Sequence, residues 1–145
     1  MPIEPDEQQL SAIAVPPGGV DGPVVMLNLN RYRDRAAYEA DPPRGRTGDV
    51  SGREAYGRYG EVAIAVLERV GGRIAWHSQT QQTVIGDQSD VYDEVIAVWY
   101  PSRSAFVALA TAPEILAARV DRTAGLERAA LICCEAGSAP GLDAA

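Results

Sequence analysis

The sequence predicts an α+β domain in which helices cover one face of a four-stranded antiparallel sheet. Strand-like and helix-like stretches follow one another in the order β-α-β-β-α-β, and a long amphipathic helix separates the first two strands. The third and fourth strands are apolar on both faces, which predicts that both faces of the sheet are covered. The 145 residues are about enough for one domain with one core.

The composition argues against several classes of partner and site. Twenty acidic residues stand against 13 basic ones, and the net charge of -7 disfavours non-specific binding to nucleic acid or to anionic membranes. The two cysteines are neighbours, Cys133 and Cys134, which fits neither zinc spacing nor a disulfide framework, so we expect buried, reduced thiols. The N-terminus lacks the apolar core of a signal peptide, and no apolar run approaches ~18 residues, so we expect a cytoplasmic protein.

An N-terminal extension, residues 1–21, precedes the predicted domain at 22–136, and a small, flexible tail follows at 137–145. Residues 5–15 predict a short helix capped by Asp6. Residues 24–32 predict the first strand, because β-branched and apolar side chains alternate with others. Alternation divides this strand into two sets of side chains, Val25, Leu27 and Leu29 on one face and Met26, Asn28 and Asn30 on the other.

A long loop, residues 33–50, follows the first strand and is rich in Pro, Gly, Arg and Asp. Loops of more than ~12 to 15 residues in compact domains are typically lids, binding loops or disordered segments. Seven arginines and five acids lie between Arg31 and Arg58, so this region is a candidate anion site. The ordinary interpretation is a solvated, charged surface.

The next stretch predicts a long amphipathic helix. Its apolar side chains recur at helical spacing: Tyr56, Tyr59, Ala63, Val66, Leu67 and Val70. Ser51 and Glu54 fit a capping box at its start, and the glycine pair at 71–72 ends it. Gly57 and Gly60 lie in mid-helix, where each costs ~1 kcal/mol relative to alanine. Such a cost predicts that another backbone or a bulky side chain approaches closely there.

The remaining elements complete the pattern. Residues 73–83 predict the second strand, residues 92–100 the third and residues 129–135 the fourth. Between the last two strands, Ser102 caps one helix and Pro113 starts another. The resulting order, β-α-β-β-α-β, is the split βαβ pattern of ferredoxin-like folds.

The uncovered face of the sheet predicts a second subunit. Two or three helices can cover one face, and leaving several Val, Ile, Trp and Cys side chains exposed on the other costs many kcal/mol at ~25 cal/mol per Å². We therefore expect the same face of a second copy to cover it, in a two-fold dimer. Polar side chains on that face would line a cavity between the sheets. Asn28 and Asn30 are the first candidates, and His77, Trp76 or Trp99 join them according to the strand registers.

A series of short motifs runs in order from Gly22 to Cys134. It comprises Gly22-Pro23, Met26-Leu27-Asn28-Leu29, Gly52-Arg53-Glu54-Ala55-Tyr56, Tyr59-Gly60, Gly71-Gly72, Gly86, Tyr100-Pro101-Ser102-Arg103, Ala105-Phe106 and Arg122-Thr123-Ala124-Gly125-Leu126. Together these motifs resemble domain-of-unknown-function family 1330, of the dimeric α+β barrel superfamily. The resemblance implies the dimer and supplies no catalytic residue. The wider superfamily includes cofactor-free monooxygenases, lactone isomerases, cyclases and haem proteins, so we expect no cofactor, with haem as the one left open.

Two charged residues are candidates for chemistry. His77 is the only histidine, and histidine is the residue type suited to act as a base near neutral pH, so it is the candidate base toward an activated carbon or phenol. The ordinary alternative is a strand histidine facing solvent or bonded to a carbonyl. Arg122 can hold a carboxylate bidentately, or form a structural salt bridge to Glu54 or Asp121. A lone imidazole does not make a metal site, so none is expected.

Four aromatic residues have two interpretations each. Trp76 and Trp99 form either a wall for a planar ligand or part of the core or dimer packing. Tyr56 and Tyr59 are most simply core residues on the inward face of the helix.

Two functions follow from these candidates. In the first, the homodimer binds an apolar or aromatic compound and isomerises, cyclises or oxygenates it without a cofactor. His77 is then the base, Asn28 and Asn30 are positioning donors, and Arg122 holds an anionic group of the compound. In the second, it is a non-catalytic ligand-binding or stress-associated dimer whose cavity is filled by side chains. A cavity well under ~300 Å³ favours the second function.

Overall fold

The computed structural model describes residues 2–39 and 45–137, and within them the elements follow the order expected from the sequence. The described helices are α1 (Glu7–Ile13), α2 (Gly52–Arg69), α3 (Arg103–Ala110) and α4 (Pro113–Gly125). The described strands are β1 (Val24–Tyr32), β2 (Arg73–Gln79), β3 (Glu94–Tyr100) and β4 (Leu126–Glu135). No helix within these two ranges is both long enough and apolar enough to cross a membrane.

The four strands form one antiparallel sheet in the order β2-β3-β1-β4. The first strand therefore lies in the interior of the sheet, and β2 and β4 form its edges. With the β-α-β-β-α-β order of elements, this arrangement is the ferredoxin-like α+β fold, which confirms the predicted fold class. A register shift between Ile74 and Trp76 marks a bulge in β2.

Local chemistry sets both ends of α2. The Ser51 hydroxyl accepts from the Glu54 backbone N–H at 3.0 Å and donates to the Glu54 carboxylate at 3.3 Å. In a full capping box the Glu54 carboxylate would accept a hydrogen bond from the Ser51 backbone N–H; here it accepts one from the Ser51 hydroxyl instead. At the other end, Gly71 has a φ of 85°, the left-handed conformation that stops a helix.

The helices cover one face of the sheet, called here the covered face. Met26 of β1 is buried in the core with Val66 and Leu67 of α2 and with Leu109 of α3. The antiparallel register extends this face to further pairs across β1 and β3: Val24 with Tyr100, Met26 with Val98, Asn28 with Ile96 and Asn30 with Glu94. Asn28 and Asn30 therefore lie beneath the helices. The prediction that they lie on the face left for a second copy is wrong.

The opposite face of the sheet, called here the open face, is apolar. It carries Val25, Leu27 and Leu29 of β1, Ala97 and Trp99 of β3, Trp76 of β2 and Ile132 of β4, which occupy matching positions in the strand registers. Trp76 and Ile132 are exposed. Strand alternation, rather than the polarity of single residues, thus decides which side chains the helices cover.

The second and fourth helices meet at two glycines. A Cβ on Gly52 would lie 2.6 Å from the Gly125 carbonyl oxygen and 2.7 Å from the Arg33 backbone nitrogen. A Cβ on Gly125 would lie 2.8 Å from the Tyr56 backbone nitrogen and would also meet the Gly52 carbonyl. At Gly57 and Gly60 a Cβ would meet no atom within 4 Å. The expectation of close contact at those two glycines is wrong, because the helix pair meets at Gly52 and Tyr56, whereas Gly57 is exposed.

The described part of the 33–50 loop is fastened to α4. Ala37 donates its backbone N–H to the Ala124 carbonyl at 2.9 Å. Asp121 of α4 is buried and accepts from the Tyr38 hydroxyl at 2.6 Å and from Arg46 Nε at 2.9 Å. These bonds make the described part of the loop a packed segment. Residues 40–44 lie outside the described residues.

Three strand boundaries differ from those expected. β2 ends at Gln79, β3 begins at Glu94, and β4 follows α4 directly at Leu126. The Thr80 N–H still donates to the Asp93 carbonyl, but beyond this pair the residues between β2 and β3 form turn hydrogen bonds, which shortens both strands. β4 is longer than expected, because Gly125 is the last residue of α4 and no separate turn follows it.

The N-terminal extension packs on the helices. Asp6 caps α1 in a full capping box with Gln9, as its position predicts. Asp21 accepts from the backbone N–H groups of Arg103 and Ser104, at 2.6 and 3.2 Å, at the start of α3. Apart from Gly137, the predicted tail lies outside the described residues.

Candidate functional site

Polar and aromatic side chains gather on the covered face, where β1 ends and β3 begins. We call this group the Tyr32–Glu94 cluster; its members are Asn30, Tyr32, Arg53, Tyr56, His77 and Glu94. The β1–β3 register places Asn30 opposite Glu94, and α2 brings Arg53 and Tyr56 onto them from above. Four separate elements thus contribute to one site.

Tyr32 is the buried centre of the cluster. Its hydroxyl donates to Glu94 Oε1 and accepts from Asn30 Nδ2 at 3.4 Å, and Asn30 is only 2% exposed. Burial, reinforced by the bond to Glu94, raises the pKa of Tyr32 above its ordinary value of 10.0. Tyr32 is therefore neutral at physiological pH and acts as a hydrogen-bond donor.

Glu94 connects this buried phenol to the solvent. Its carboxylate is 16% exposed and has Arg53 Nη1 at 3.7 Å from Oε1 and His77 Nδ1 at 3.7 Å from Oε2. The His77 side chain is 62% exposed, so its imidazole is accessible to water. Arg53 also stacks on Tyr32, with Cζ 4.6 Å from the ring centroid. The arrangement places one carboxylate between a buried hydroxyl and an exposed imidazole.

Further tyrosines extend the cluster into the core. The Tyr32 and Tyr56 ring centroids are 5.3 Å apart, and those of Tyr56 and Tyr59 are 5.5 Å apart. Burial raises the pKa values of Tyr56 and Tyr59, and the positive charge of Arg122 acts against this in both. Burial likewise raises the pKa of Tyr100. These phenols are therefore held in their neutral form.

The raised pKa values predict loss of stability in alkali. For Tyr32, Tyr56, Tyr59 and Tyr100 the folded-state pKa exceeds the ordinary value of 10.0, so their contribution is complete below that pH and is lost as pH rises through the folded values. We expect these tyrosines to ionise together with loss of the circular dichroism signal, at a pH above 10. Tyrosinate absorbance and circular dichroism, followed on one sample, check this. Full ionisation of the tyrosines near pH 10 with an intact signal would contradict it.

The structure brings two of the sequence candidates together. Asn30 and His77 lie on opposite sides of Glu94. Asn28 shares their face, but its amide donates to the carbonyls of Met26 and Ile96, at 3.3 and 3.2 Å, so its donors serve the backbone.

The other candidates lie elsewhere. Trp76 and Trp99 belong to the open face, where Trp76 is 56% exposed and Trp99 is buried under the Arg73 guanidinium at 4.8 Å. Arg122 donates to the Ile3 carbonyl oxygen at 2.6 Å, and its neighbour Asp121 pairs with Arg46. One pocket cannot hold the tryptophans and asparagines of a single chain, because the sheet separates them.

Two clefts flank the sheet within the described residues. One, of about 220 Å³, lies at the end of β1 and includes Tyr32 and Asp93 in its wall. The other, of about 330 Å³, lies between the extension and the end of β4 and is lined in part by Cys133 and Cys134. Both thiols are free and half-buried rather than buried as expected. Of the Tyr32–Glu94 cluster, only Tyr32 lines the first cleft.

Sequence reasoning missed three residues of the cluster. Tyr32 lies two residues after Asn30 on β1, so strand alternation places both side chains on the same face. This alternation is the sequence signal that could have identified Tyr32. Glu94 stands at the start of a strand and Arg53 in the first turn of a helix, where charged residues are ordinary. Within residues 2–39 and 45–137, His, Cys, Asp and Glu side chains form no group of three or more suited to a metal ion.

Comparisons with known proteins give a consistent result. The family model described as "Domain of unknown function (DUF1330)" matches residues 45–136. The crystal structure of methylated RPA0582 is 36% identical with a TM-score of 0.81, covering 97% of each chain. RPA0582 from Rhodopseudomonas palustris, a protein of unknown function, also appears in a structure that is 34% identical with a TM-score of 0.79, covering 92% of this chain and 95% of that one.

A more distant neighbour is a dimeric protein of unknown function with a ferredoxin-like fold from Bacteroides fragilis. It is 17% identical with a TM-score of 0.47, covering 79% of this chain and 96% of that one. The search of curated proteins found no match.

Proposed function

The chain belongs to the family of unknown function DUF1330, and from this premise we propose that it is a homodimer that binds a small apolar or aromatic molecule and transforms it by acid–base chemistry of its own side chains, without a cofactor. The observation that carries the proposal is the Glu94 carboxylate, which accepts a hydrogen bond from buried Tyr32 and lies 3.7 Å from Nδ1 of exposed His77. Titratable groups placed together in unlike environments are typical of acid–base sites.

The proposed roles follow from exposure and neighbours. His77 is the base, because its imidazole reaches solvent and faces the Glu94 carboxylate, which favours the proton on Nδ1 and leaves Nε2 to accept one. Tyr32 positions the Glu94 carboxylate, because its one hydroxyl proton is donated to Glu94 while the same oxygen accepts from Asn30. Arg53 supplies positive charge beside both groups.

The apolar open face supports the homodimer. Trp76 and Ile132 are exposed there, and both lie at register positions shared with Leu27. Contiguous apolar surface of this kind on a sheet marks an interaction site. A second copy of the same face covers it in one closed, two-fold contact.

The acid–base proposal predicts a specific loss of exchange chemistry. A set of phenols, 1,3-dicarbonyl compounds and lactones is first tested for raising the melting temperature of the wild type. Binders are then incubated in D₂O, and deuterium entry at carbon is followed by NMR. We expect His77→Gln to slow this exchange by about 100-fold or more, since a positioned acid or base contributes typically that much.

Two further variants complete this experiment. Tyr32→Phe removes the hydroxyl that positions Glu94 and is expected to slow exchange as well. Tyr92→Phe is the matched control, because the Tyr92 contact with Thr80 runs through its backbone carbonyl. Equal exchange in the wild type and in His77→Gln would contradict the role of the base.

One observation favours the second function, a non-catalytic ligand-binding or stress-associated dimer. Among the described residues, every buried side-chain nitrogen and oxygen already has a hydrogen-bond partner, so the Tyr32–Glu94 cluster satisfies itself. Under this function, compounds raise the melting temperature of the wild type and of His77→Gln alike, and no carbon-bound deuterium appears.

A further inference from the structure

The Arg53 guanidinium is held in place within the Tyr32–Glu94 cluster without a hydrogen bond to the residues that the structure describes. Its Cζ lies 4.6 Å from the Tyr32 ring centroid, and its Nη1 lies 3.7 Å from Glu94 Oε1, beyond hydrogen-bond distance. A guanidinium over an aromatic ring is attracted to the π face, and this contact uses none of its five N–H groups. The guanidinium is therefore positioned, and its donors remain available to a ligand.

Other arginines that could hold an anion are engaged by the protein itself. The stretch between Arg31 and Arg58 is rich in arginine and is the candidate anion site of the sequence. Within it, Arg31 and Arg46 each have a carboxylate oxygen close to Nε, at 2.8 and 2.9 Å. Arg122, the residue expected to hold an anionic group, donates to a backbone carbonyl at 2.6 Å. Among these arginines, Arg53 is the one that combines a fixed position with donors left for a ligand.

The solvent side of the cluster presents two nitrogen-bearing side chains. Arg53 and His77 are 47% and 62% exposed and lie at the two oxygens of the Glu94 carboxylate. Glu94 itself is recessed between them, at 16% exposed, and its Oε1 accepts from the Tyr32 hydroxyl. A ligand that arrives from solvent therefore meets the guanidinium and the imidazole before it meets the carboxylate. An anionic group bound to Arg53 also lies beside His77, because both side chains adjoin one carboxylate.

We propose that the compounds bound at the Tyr32–Glu94 cluster carry a carboxylate, which Arg53 holds beside His77. This inference rests on the proposed function, whose substrate class it narrows. A planar carboxylate matches the edge of a guanidinium, which can donate two parallel N–H···O bonds to it. A single negative charge also suits a site that already contains the Glu94 carboxylate, because a doubly charged phosphate would be repelled more strongly.

The test compares benzoate with benzamide, which have nearly the same shape and differ in charge. His77 is the only histidine, so its imidazole gives one set of NMR signals that reports binding beside it. Titrations of the full chain at constant ionic strength give the two dissociation constants. We expect the wild type to bind benzoate about tenfold more tightly than benzamide, or better, because hydrogen bonds to a charged group are stronger than neutral ones.

Two variants assign this preference to Arg53. Arg53→Gln is expected to weaken benzoate binding by about tenfold or more and to leave the affinity for benzamide unchanged. Arg69→Gln is the matched control, because it removes the same charge from an exposed position at the other end of α2. Its affinity for benzoate is expected to stay close to that of the wild type. Circular dichroism of Arg53→Gln is expected to stay native, because the Arg53 side chain is half exposed.

The outcomes separate this inference from the proposed function. A wild type that binds benzoate and benzamide equally overturns the carboxylate site, and so does equal benzoate affinity in the wild type and in Arg53→Gln. In either case, deuterium exchange into neutral compounds that is slowed in His77→Gln leaves the acid–base function standing. Conversely, benzoate binding that depends on Arg53 supports the carboxylate site, even where equal exchange in the wild type and in His77→Gln contradicts the role of the base.

Discussion

Gly125→Ala is expected to lower the free energy of unfolding by about 3 kcal/mol or more, because the new methyl group would overlap neighbouring atoms. It would lie 2.8 Å from the Tyr56 backbone nitrogen and would also meet the Gly52 carbonyl. Both obstacles are main-chain atoms of α2, so a side-chain rotation cannot relieve the overlap. Urea unfolding followed by circular dichroism measures the change.

Gly57→Ala is the matched control on the same helix pair. A methyl group there meets no atom within 4 Å, and alanine is the better helix former by ~1 kcal/mol, so this variant is expected to be more stable than the wild type. Opposite signs for the two substitutions would locate the close approach of α2 and α4. A Gly125→Ala protein as stable as the wild type would show that the helices do not meet at this glycine.

Asp121→Ala is expected to destabilise the protein by about 2 to 3 kcal/mol, since removal of a buried acceptor leaves its hydrogen-bond donors without a partner. The Tyr38 hydroxyl loses its partner in a partly buried position, whereas Arg46 is exposed enough to regain water. The described part of the 33–50 loop then loses its side-chain bonds to α4 and keeps the backbone bond from Ala37 to Ala124. Urea unfolding measures the loss, and faster amide exchange of residues 45–50 reports the detachment.

Glu114→Ala provides the control for this prediction. Glu114 also lies on α4 and pairs with Arg69, but both side chains are exposed, and surface pairs of this kind contribute little. We expect no measurable change in the urea midpoint. An Asp121→Ala protein that matched Glu114→Ala would contradict a structural role for the buried carboxylate.

Much of the fold was predictable because its signals are local. The bounds of β1 follow from alternation, and the starts of α2 and α3 from the hydroxyls of Ser51 and Ser102, which accept the backbone N–H groups of the first turn. The ends of β2 and β3 were not predictable in this way. The sequence pattern of the residues beyond them predicts strand, but most of these residues make turn hydrogen bonds within 80–93. Those bonds depend on the path of the chain.

The site was predictable only in part, because it depends on long-range register. Asn30 and His77 were identified by residue type, yet Glu94, which joins them, is brought in by pairing across β1, β3 and β2. The covered face of β1 was also undetermined, since Met26 on one side and Leu27 on the other are equally apolar. Packing of α2 against Met26 makes that choice.

The interior position of β1 bears on how this fold is divided for experiments. The family match spans residues 45–136 and leaves out Val24–Tyr32, the strand that joins β3 to β4. A fragment cut at those limits would hold β4 with no hydrogen-bonding neighbour and would open the hydrophobic interior where Met26 sits. The smallest autonomous folding unit therefore begins before Val24, and truncations designed on the family limits are expected to be insoluble.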